Sequence, residues 1–339
     1  MYAPLRDTLL KLCRREDLTR DETREAFLHI MSGEAPDAQI AGLLVGLASK
    51  GTTVEELVGA ATVMREKVIP VLCAEGVVLD TCGTGGDVRG TFNISTAAAL
   101  VAAGAGVKIV KHGNRSASSQ SGSADVLEKL GVNIDPGSAA TARCLEEANL
   151  CFAFARTHHP AMKHVAATRS ALGIPTIFNL LGPLTNPGRA RHQLLGVFAP
   201  ELTDRIATVL RELGSHHAWV VHADDGLDEL STLGHTRISE LKGGRVQTFT
   251  LDPRTLGFDY GRLSDLQVTT AEESAEMIRN ILAAHKSPAR DITVLNAAAA
   301  LHIAGRADTL AQAVKLAEES IDSHCAAHTL ATLVRLTNA

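Results

Sequence analysis

Gly76-Val77-Val78-Leu79-Asp80-Thr81-Cys82-Gly83-Thr84-Gly85-Gly86-Asp87 opens a stretch that runs on to Asp125 and organises the rest of the chain. A short apolar run ends in three closely spaced glycines, which let the backbone turn tightly and present bare N–H groups. Asn93, Ser95 and Thr96 are residue types that open a helix, and the run from Ala97 to Ala103 continues it well. Unpaired donors and the positive dipole end at such a helix start bind anions. A second apolar run, Val107 to Val110, leads into Lys111-His112-Gly113-Asn114-Arg115 and then Ser116-Ala117-Ser118-Ser119-Gln120-Ser121-Gly122-Ser123. Lys111 and Arg115 add fixed positive charge. The stretch reads as a cradle for a doubly phosphorylated, sugar-sized ligand.

Working outward, short apolar runs alternate with helical patterns. Strands are expected at 77–80, 107–110, 150–155, 194–198 and 218–222, and helices at 96–103, 123–130, 138–148, 160–172 and 201–213. That alternation predicts right-handed βαβ units and a mostly parallel sheet. Residues 236–251 read as an added hairpin, and the tail from Thr270 is helical, with Ala297 to Ala300 as a close-packing face. Upstream, four helices are expected. Leu5, Leu9, Leu10 and Leu12 recur at helical spacing, Thr19 with Glu22 and Thr53 with Glu56 form capping boxes, and Asp37 starts the helix between them. Four short helices leave apolar surface uncommitted, which points to a subunit contact. Gly182-Pro183 and Asn186-Pro187 mark a rigid loop where the chain passes between its two parts.

The bulk composition agrees with a folded enzyme-sized chain. Of 339 residues, 45% are hydrophobic and 21% charged, so a sizeable core is available. Aromatics make up only 3%, so that core is aliphatic and Ala-rich. A net charge of −5 without a long basic run argues against a nucleic-acid binder. The six cysteines are scattered without a C-x-x-C pair, and read as free thiols of a reducing cytoplasm rather than disulfides or a zinc site. Arg6, Asp7 and Lys11 interrupt the start, so no signal peptide is expected, and no apolar run is long enough to span a membrane.

Common phosphate motifs are excluded. A Walker loop closes on Lys-Ser/Thr, which the segment from Gly83 to Gly90 lacks, and Val88 stands where a dinucleotide fingerprint needs its third glycine. Cys82 reads as a small apolar filler. A second candidate element is Asp224-Asp225-Gly226-Leu227-Asp228-Glu229 after the apolar run Ala218 to Val221. Carboxylates at the carboxyl end of a strand suit Mg²⁺ when a phosphate cradle sits at the same sheet end. A third comprises His158, His159, His164 and Arg169, followed by Asn179-Leu180-Leu181-Gly182-Pro183-Leu184-Thr185-Asn186-Pro187. Metal-type histidine spacing is absent there, whereas a guanidinium at Arg169 is suited to a planar carboxylate. His216 and His217 precede a strand and carry no assigned role.

Together these residues resemble the anthranilate phosphoribosyltransferase family, and the resemblance covers nearly the whole chain. Its most specific parts are Gly83-Thr84-Gly85-Gly86-Asp87, Asn93-Ile94-Ser95-Thr96, Lys111-His112-Gly113-Asn114-Arg115 and Asp228-Glu229. The related pyrimidine nucleoside phosphorylases share a similar glycine loop and Lys-His-Gly element but lack the Asn-Leu-Leu-Gly-Pro-Leu stretch. The resemblance implies an α/β fold: a small all-helical domain over 1–70, with a further segment near 160–190, and a larger α/β domain over 71–339 with a mostly parallel central sheet.

It also implies the site. Phosphoribosyl pyrophosphate (PRPP) would be held by Gly83, Gly86, Asp87, Thr91, Asn93, Ile94, Ser95, Thr96, Lys111, His112, Gly113, Asn114, Arg115, Ser116, Ala117, Ser118, Ser119 and Ser123. Mg²⁺ would be bound through Ser95, Asp228 and Glu229. Anthranilate would contact Gly83, Asn114 and Arg169, with His112, His159 and Pro160 lining its approach, and Met162 stands where many relatives carry Tyr or Phe. Arg169 and Asn114 would position the acceptor, and His112 is a candidate for taking the amine proton. A homodimer through the helical part, a cytoplasmic location and docking onto anthranilate synthase complete what the family brings, with no nucleic-acid or membrane partner. The alternatives are a pyrimidine nucleoside phosphorylase and a non-catalytic nucleic-acid-binding relative.

Overall fold

In the computed structural model, residues 3–73, 76–86, 89–115 and 122–339 are described. The chain begins with α1 (Ala3–Cys13), α2 (Arg20–Met31), α3 (Asp37–Lys50) and α4 (Val54–Lys67). Thr19 and Thr53 each accept the N–H of the glutamate three residues on, and that glutamate reaches back, so both capping boxes form. Ile40, Leu43, Leu44 and Leu47 of α3 are all buried, as their spacing requires of one helical face. Glu56 is fully buried, and its carboxylate is satisfied by Lys50 at 3.0 Å and the Leu18 N–H at 2.9 Å.

From residue 78 the chain alternates: β1 (Val78–Gly83), α5 (Ile94–Gly104), β2 (Lys108–Gly113), α6 (Ser123–Lys129), α7 (Ser138–Glu147), β3 (Leu150–Phe154), α8 (Ala155–His158), α9 (Lys163–Leu172), α10 (Phe178–Leu181), β4 (His192–Gly196), α11 (Leu202–Glu212) and β5 (His217–Ala223). The expected hairpin is β6 (Thr236–Lys242) and β7 (Arg245–Leu251), and α12 (Ala271–Leu282), α13 (Pro288–Ile303), α14 (Leu310–Asp322) and α15 (Cys325–Thr337) close the chain. The seven strands form one sheet in the order β3-β2-β1-β4-β5-β6-β7. The first five are parallel and the hairpin adds two antiparallel strands.

Strand alternation divides the interior in two. Leu194, Trp219 and Val221 face the core shared with α5 and α13. Leu195, Ala218 and Val220 face the other core, which α11 and the N-terminal helices enclose. Some of the apolar surface left over by α1–α4 is therefore satisfied within the chain. The segment from 160 to 185 joins this second core: α9 packs on α2 and α3, α10 packs on α4, and the Phe27 and Phe178 rings lie 5.7 Å apart.

Two strands run longer than their apolar runs. β1 extends through Asp80–Gly83 and β2 through Lys111–Gly113, because the parallel ladder keeps pairing across those polar residues. The strand order reverses between β1 and β4, and a doubly wound sheet opens a crevice at that point, beyond the carboxyl ends of the strands. Among the described residues no helix is long and apolar enough to cross a membrane.

Candidate functional site

At the switch point Gly83 of β1 stands in register with Gly196 of β4. A Cβ on Gly83 would lie 2.6 Å from the Asp228 carboxylate, and one on Gly196 would lie 1.5 Å from the Asp228 carbonyl. Neither space exists. The two glycines let the loop after β5 lie flat across both strand ends, and Asp228 there accepts the Gly85 N–H at 3.1 Å. The Thr84 N–H donates to Gly196 at 2.9 Å, and the Thr84 hydroxyl accepts the Phe198 N–H at 3.2 Å. Gly85 and Gly86 have φ of 65° and 92°, a backbone region that disfavours side chains.

Asn93 caps α5 by accepting the Thr96 N–H at 3.0 Å, with Ile94 and Thr96 buried behind it. Ser95 donates to Asn93 at 3.4 Å and accepts from Lys111 at 3.0 Å. Lys111 is buried and also donates to the Thr81 carbonyl at 2.7 Å. Its charge thus enters the site from within the sheet. Beside it Asp80, fully buried, accepts the His112 N–H at 3.1 Å. Burial pushes the Asp80 carboxyl up and the Lys111 ammonium down, and attraction between them opposes both shifts. Burial also holds the Cys82 thiol well above its ordinary value, so it is no nucleophile.

His112, at the end of β2, points its Nδ1 at the Gly182 carbonyl (3.1 Å) and its Nε2 at the Nε2 of His159 (3.2 Å). A carbonyl only accepts, so Nδ1 carries the proton. Burial first, and then the neighbouring imidazole, lowers His112 to about 3, and burial lowers His159 to about 4. Both ring nitrogens of His112 are engaged within the protein, so it takes up an amine proton only if that pairing opens. Arg169 on α9 lies over the Phe178 ring, 5.0 Å from its centroid, and makes no ion pair among the described residues. Burial lowers its guanidinium from the ordinary value. Phe178 begins the short helix that leads into Gly182, whose carbonyl faces His112.

Gly113 is required where it stands, since a Cβ would lie 2.1 Å from the Ser123 hydroxyl and 2.8 Å from the Phe152 ring. Asn114 is exposed; its carbonyl accepts from Ala124 and Ser123 and its side chain accepts the Arg115 N–H at 2.8 Å. Arg115 is exposed and paired with Asp125 and Glu128. Thr91 is tied to Gln267 by an isolated bridge. Pro160 is exposed beside buried His159, and Glu229 follows Asp228 in the loop after β5. Asp87, Ser116, Ala117, Ser118 and Ser119 lie outside the described residues. Three groups that build the site went unassigned in the sequence reading: Asp80, Thr81 and Gly196. A carboxylate inside the run Val78 to Cys82 was the available signal for the first, since buried strands exclude unpaired charge.

This geometry has counterparts among known proteins. Residues 75–327 match the glycosyl transferase family a/b domain, and residues 6–68 match that family's helical bundle domain. The anthranilate phosphoribosyltransferase of Moorella thermoacetica is 49% identical over 330 residues, 97% of each chain. The crystal structure of the anthranilate phosphoribosyltransferase of Thermus thermophilus superposes with a TM-score of 0.93 at 41% identity, covering 98% of this chain and 100% of that one. The Saccharomyces cerevisiae enzyme in complex with PRPP and Mg superposes with a TM-score of 0.90 at 28% identity, covering 100% and 99%. With both domains matched and near-complete coverage at 49% identity, this chain belongs to the anthranilate phosphoribosyltransferase family of glycosyltransferases.

Proposed function

We propose that this chain transfers the 5-phosphoribosyl group from PRPP to the amine of anthranilate, releasing pyrophosphate, in tryptophan biosynthesis. The observation that carries this reading is a juxtaposition. The glycine loop and the start of α5 meet Asp228 at the switch point, and Arg169, with no carboxylate partner among the described residues, lies over Phe178 four residues before the Gly182 that accepts from His112. One side suits a pyrophosphate, and the other suits the carboxylate of an aromatic acid.

The residues present fit Mg²⁺. Asp228, Glu229 and the Ser95 hydroxyl are all hard oxygen donors, and the missing side chains of Gly83 and Gly196 let the loop that carries Asp228 and Glu229 approach the strand ends. Bound there, Mg²⁺ would supply positive charge that stabilises departing pyrophosphate. Lys111 fixes Ser95, and its charge together with the positive end of α5 stabilises charge developing on the leaving group. Among the described residues no side chain is an activated nucleophile, so the amine itself captures ribose C1 after the leaving bond has largely broken. Arg169 and Asn114 hold the acceptor at attack distance, replacing a collision with a positioned encounter. The same reading places the enzyme in the cytoplasm, where its six free cysteines stay reduced. It is a homodimer through the helical part, where Leu10 and Val45 are each 41% exposed.

Anthranilate's own fluorescence tests the activity. Signal loss only when enzyme, PRPP and Mg²⁺ are all present supports the transferase. Persistence of the signal with folded protein overturns it, and phosphorolysis of uridine would then identify the phosphorylase.

A further inference from the structure

We propose that His217, Glu240 and His302 form a second metal site, for a divalent transition ion of the Zn²⁺ class, at the end of the sheet away from the crevice. His217 is the first residue of β5, whose carboxyl end borders the crevice. The antiparallel register sets Trp219 directly opposite Glu240, and strand alternation places His217 on the face shared with Trp219. That face is covered by α13, whose last turn brings His302 over it.

Ligating atoms of the three side chains lie within 4.8 Å of one another. His217 Nε2 is 2.8 Å from Glu240 Oε1, and the two imidazole centroids are 5.7 Å apart at 78°. Ligand atoms of a tetrahedral Zn²⁺ sit about 3.3 Å apart, with imidazole centroids roughly 5 Å apart, so small side-chain rotations complete the triangle. The supporting bonds are in place. His302 Nδ1 donates to the Ala307 carbonyl at 3.0 Å, which leaves its Nε2 lone pair to face the cluster. Trp219 Nε1–H donates to Glu240 at 2.9 Å and orients the carboxylate. Such outer bonds to ligating imidazole and carboxylate groups are what metal sites use to fix tautomer and orientation. The His217 and Glu240 side chains keep 10% and 18% of their surface, so water can take a fourth position. Two imidazoles and one carboxylate select Zn²⁺, Ni²⁺ or Co²⁺ over Mg²⁺.

Without an ion, the same atoms make a His217–Glu240 pair. Lys242, opposite His217 in register and exposed, opposes a cation here. An ion would tie the end of α13 to the hairpin.

Trp219 is the single tryptophan and its ring lies 5.6 Å from that of His302, which makes it the reporter. Ni²⁺ titrated into tag-free, chelator-treated full-length protein is expected to quench Trp219 saturably at one ion per chain. Zn²⁺ should reverse the quench and Mg²⁺ should not. His302→Gln should weaken Ni²⁺ by at least about tenfold, and Lys242→Ala should tighten it. Absence of saturable quenching below millimolar Ni²⁺, or an unchanged titration in a folded His302→Gln, overturns the site. If that variant does not fold, Glu240→Gln serves under the same criterion, and tetrahedral Co²⁺ absorption in the unmodified protein gives an independent reading.

Discussion

The ammonium of Lys111 donates to the hydroxyl of Ser95 across 3.0 Å, reaching it from inside the sheet. Its other bond, to the Thr81 carbonyl, makes this one cation the junction of β1, β2 and the start of α5. Positive charge at the site is therefore held at a fixed place, with little rotamer freedom left to lose when an anion arrives.

Replacing this lysine by an uncharged chain of similar length isolates its role. Lys111→Met is expected to lower kcat/KM for PRPP by roughly 10²-fold through misplacement of Ser95, and to raise the Mg²⁺ concentration for half-maximal rate. The thermal midpoint should fall, because buried Asp80 loses its compensating charge and the Thr81 carbonyl its donor. Rates across a Mg²⁺ titration together with a melting curve decide it. An unchanged Mg²⁺ requirement would detach Lys111 from the metal ligand.

Among the described residues Arg169 has no acidic partner to lose, so its removal should be felt by the acceptor alone. Arg169→Ala is expected to raise the anthranilate KM by about 10–100-fold, the worth of a charge-assisted bond, and to leave the PRPP KM nearly unchanged. Equal effects on both constants would sink the clamp assignment.

The paired glycines at the switch point should respond differently to the same methyl group. Gly196→Ala drives a Cβ into the Asp228 backbone, which must shift, and overpacking of this kind costs about 1–3 kcal/mol. Gly83→Ala meets only the Asp228 carboxylate and should leave stability closer to the parent. Both are expected to lose most activity. Urea unfolding beside initial rates separates the two, and equal destabilisation would contradict the geometry.

The histidine pair makes a statement about pH. His112 and His159 are held at about 3 and about 4, below the ordinary 6.5, so the fold keeps them neutral. The unfolded chain binds more protons between those values and 6.5. Their contribution is therefore complete above about pH 6.5 and is lost as pH falls through about 4 for His159 and about 3 for His112. Urea midpoints over that range should fall with acid, and less steeply in His112→Gln. Parallel curves for the two proteins would show that folding does not lower the His112 pKa.

Much of the architecture was legible before any coordinates. Both capping boxes, the alternation after residue 76 and the hairpin at 236–251 arise from local chemistry, and local chemistry survives in any tertiary setting. The ends of the strands were less legible. Thr81, Lys111 and His112 look like loop residues by polarity, yet they continue β1 and β2 because neighbouring parallel strands supply their backbone partners.

By itself the sequence determined the helical start, the parallel α/β order and a glycine-rich turn after β1, since periodicity, caps and turns are properties of neighbouring residues. Only the tertiary structure decided that Gly196 makes room for Asp228, that Lys111 serves Ser95 from within the sheet, and that His112 meets His159. The same holds for His217, Glu240 and His302, which are far apart along the chain and carry no ligand spacing. The physical reason is common to all of them. Each contact joins side chains on different strands or helices, and their meeting is set by strand register and by which helix covers which face.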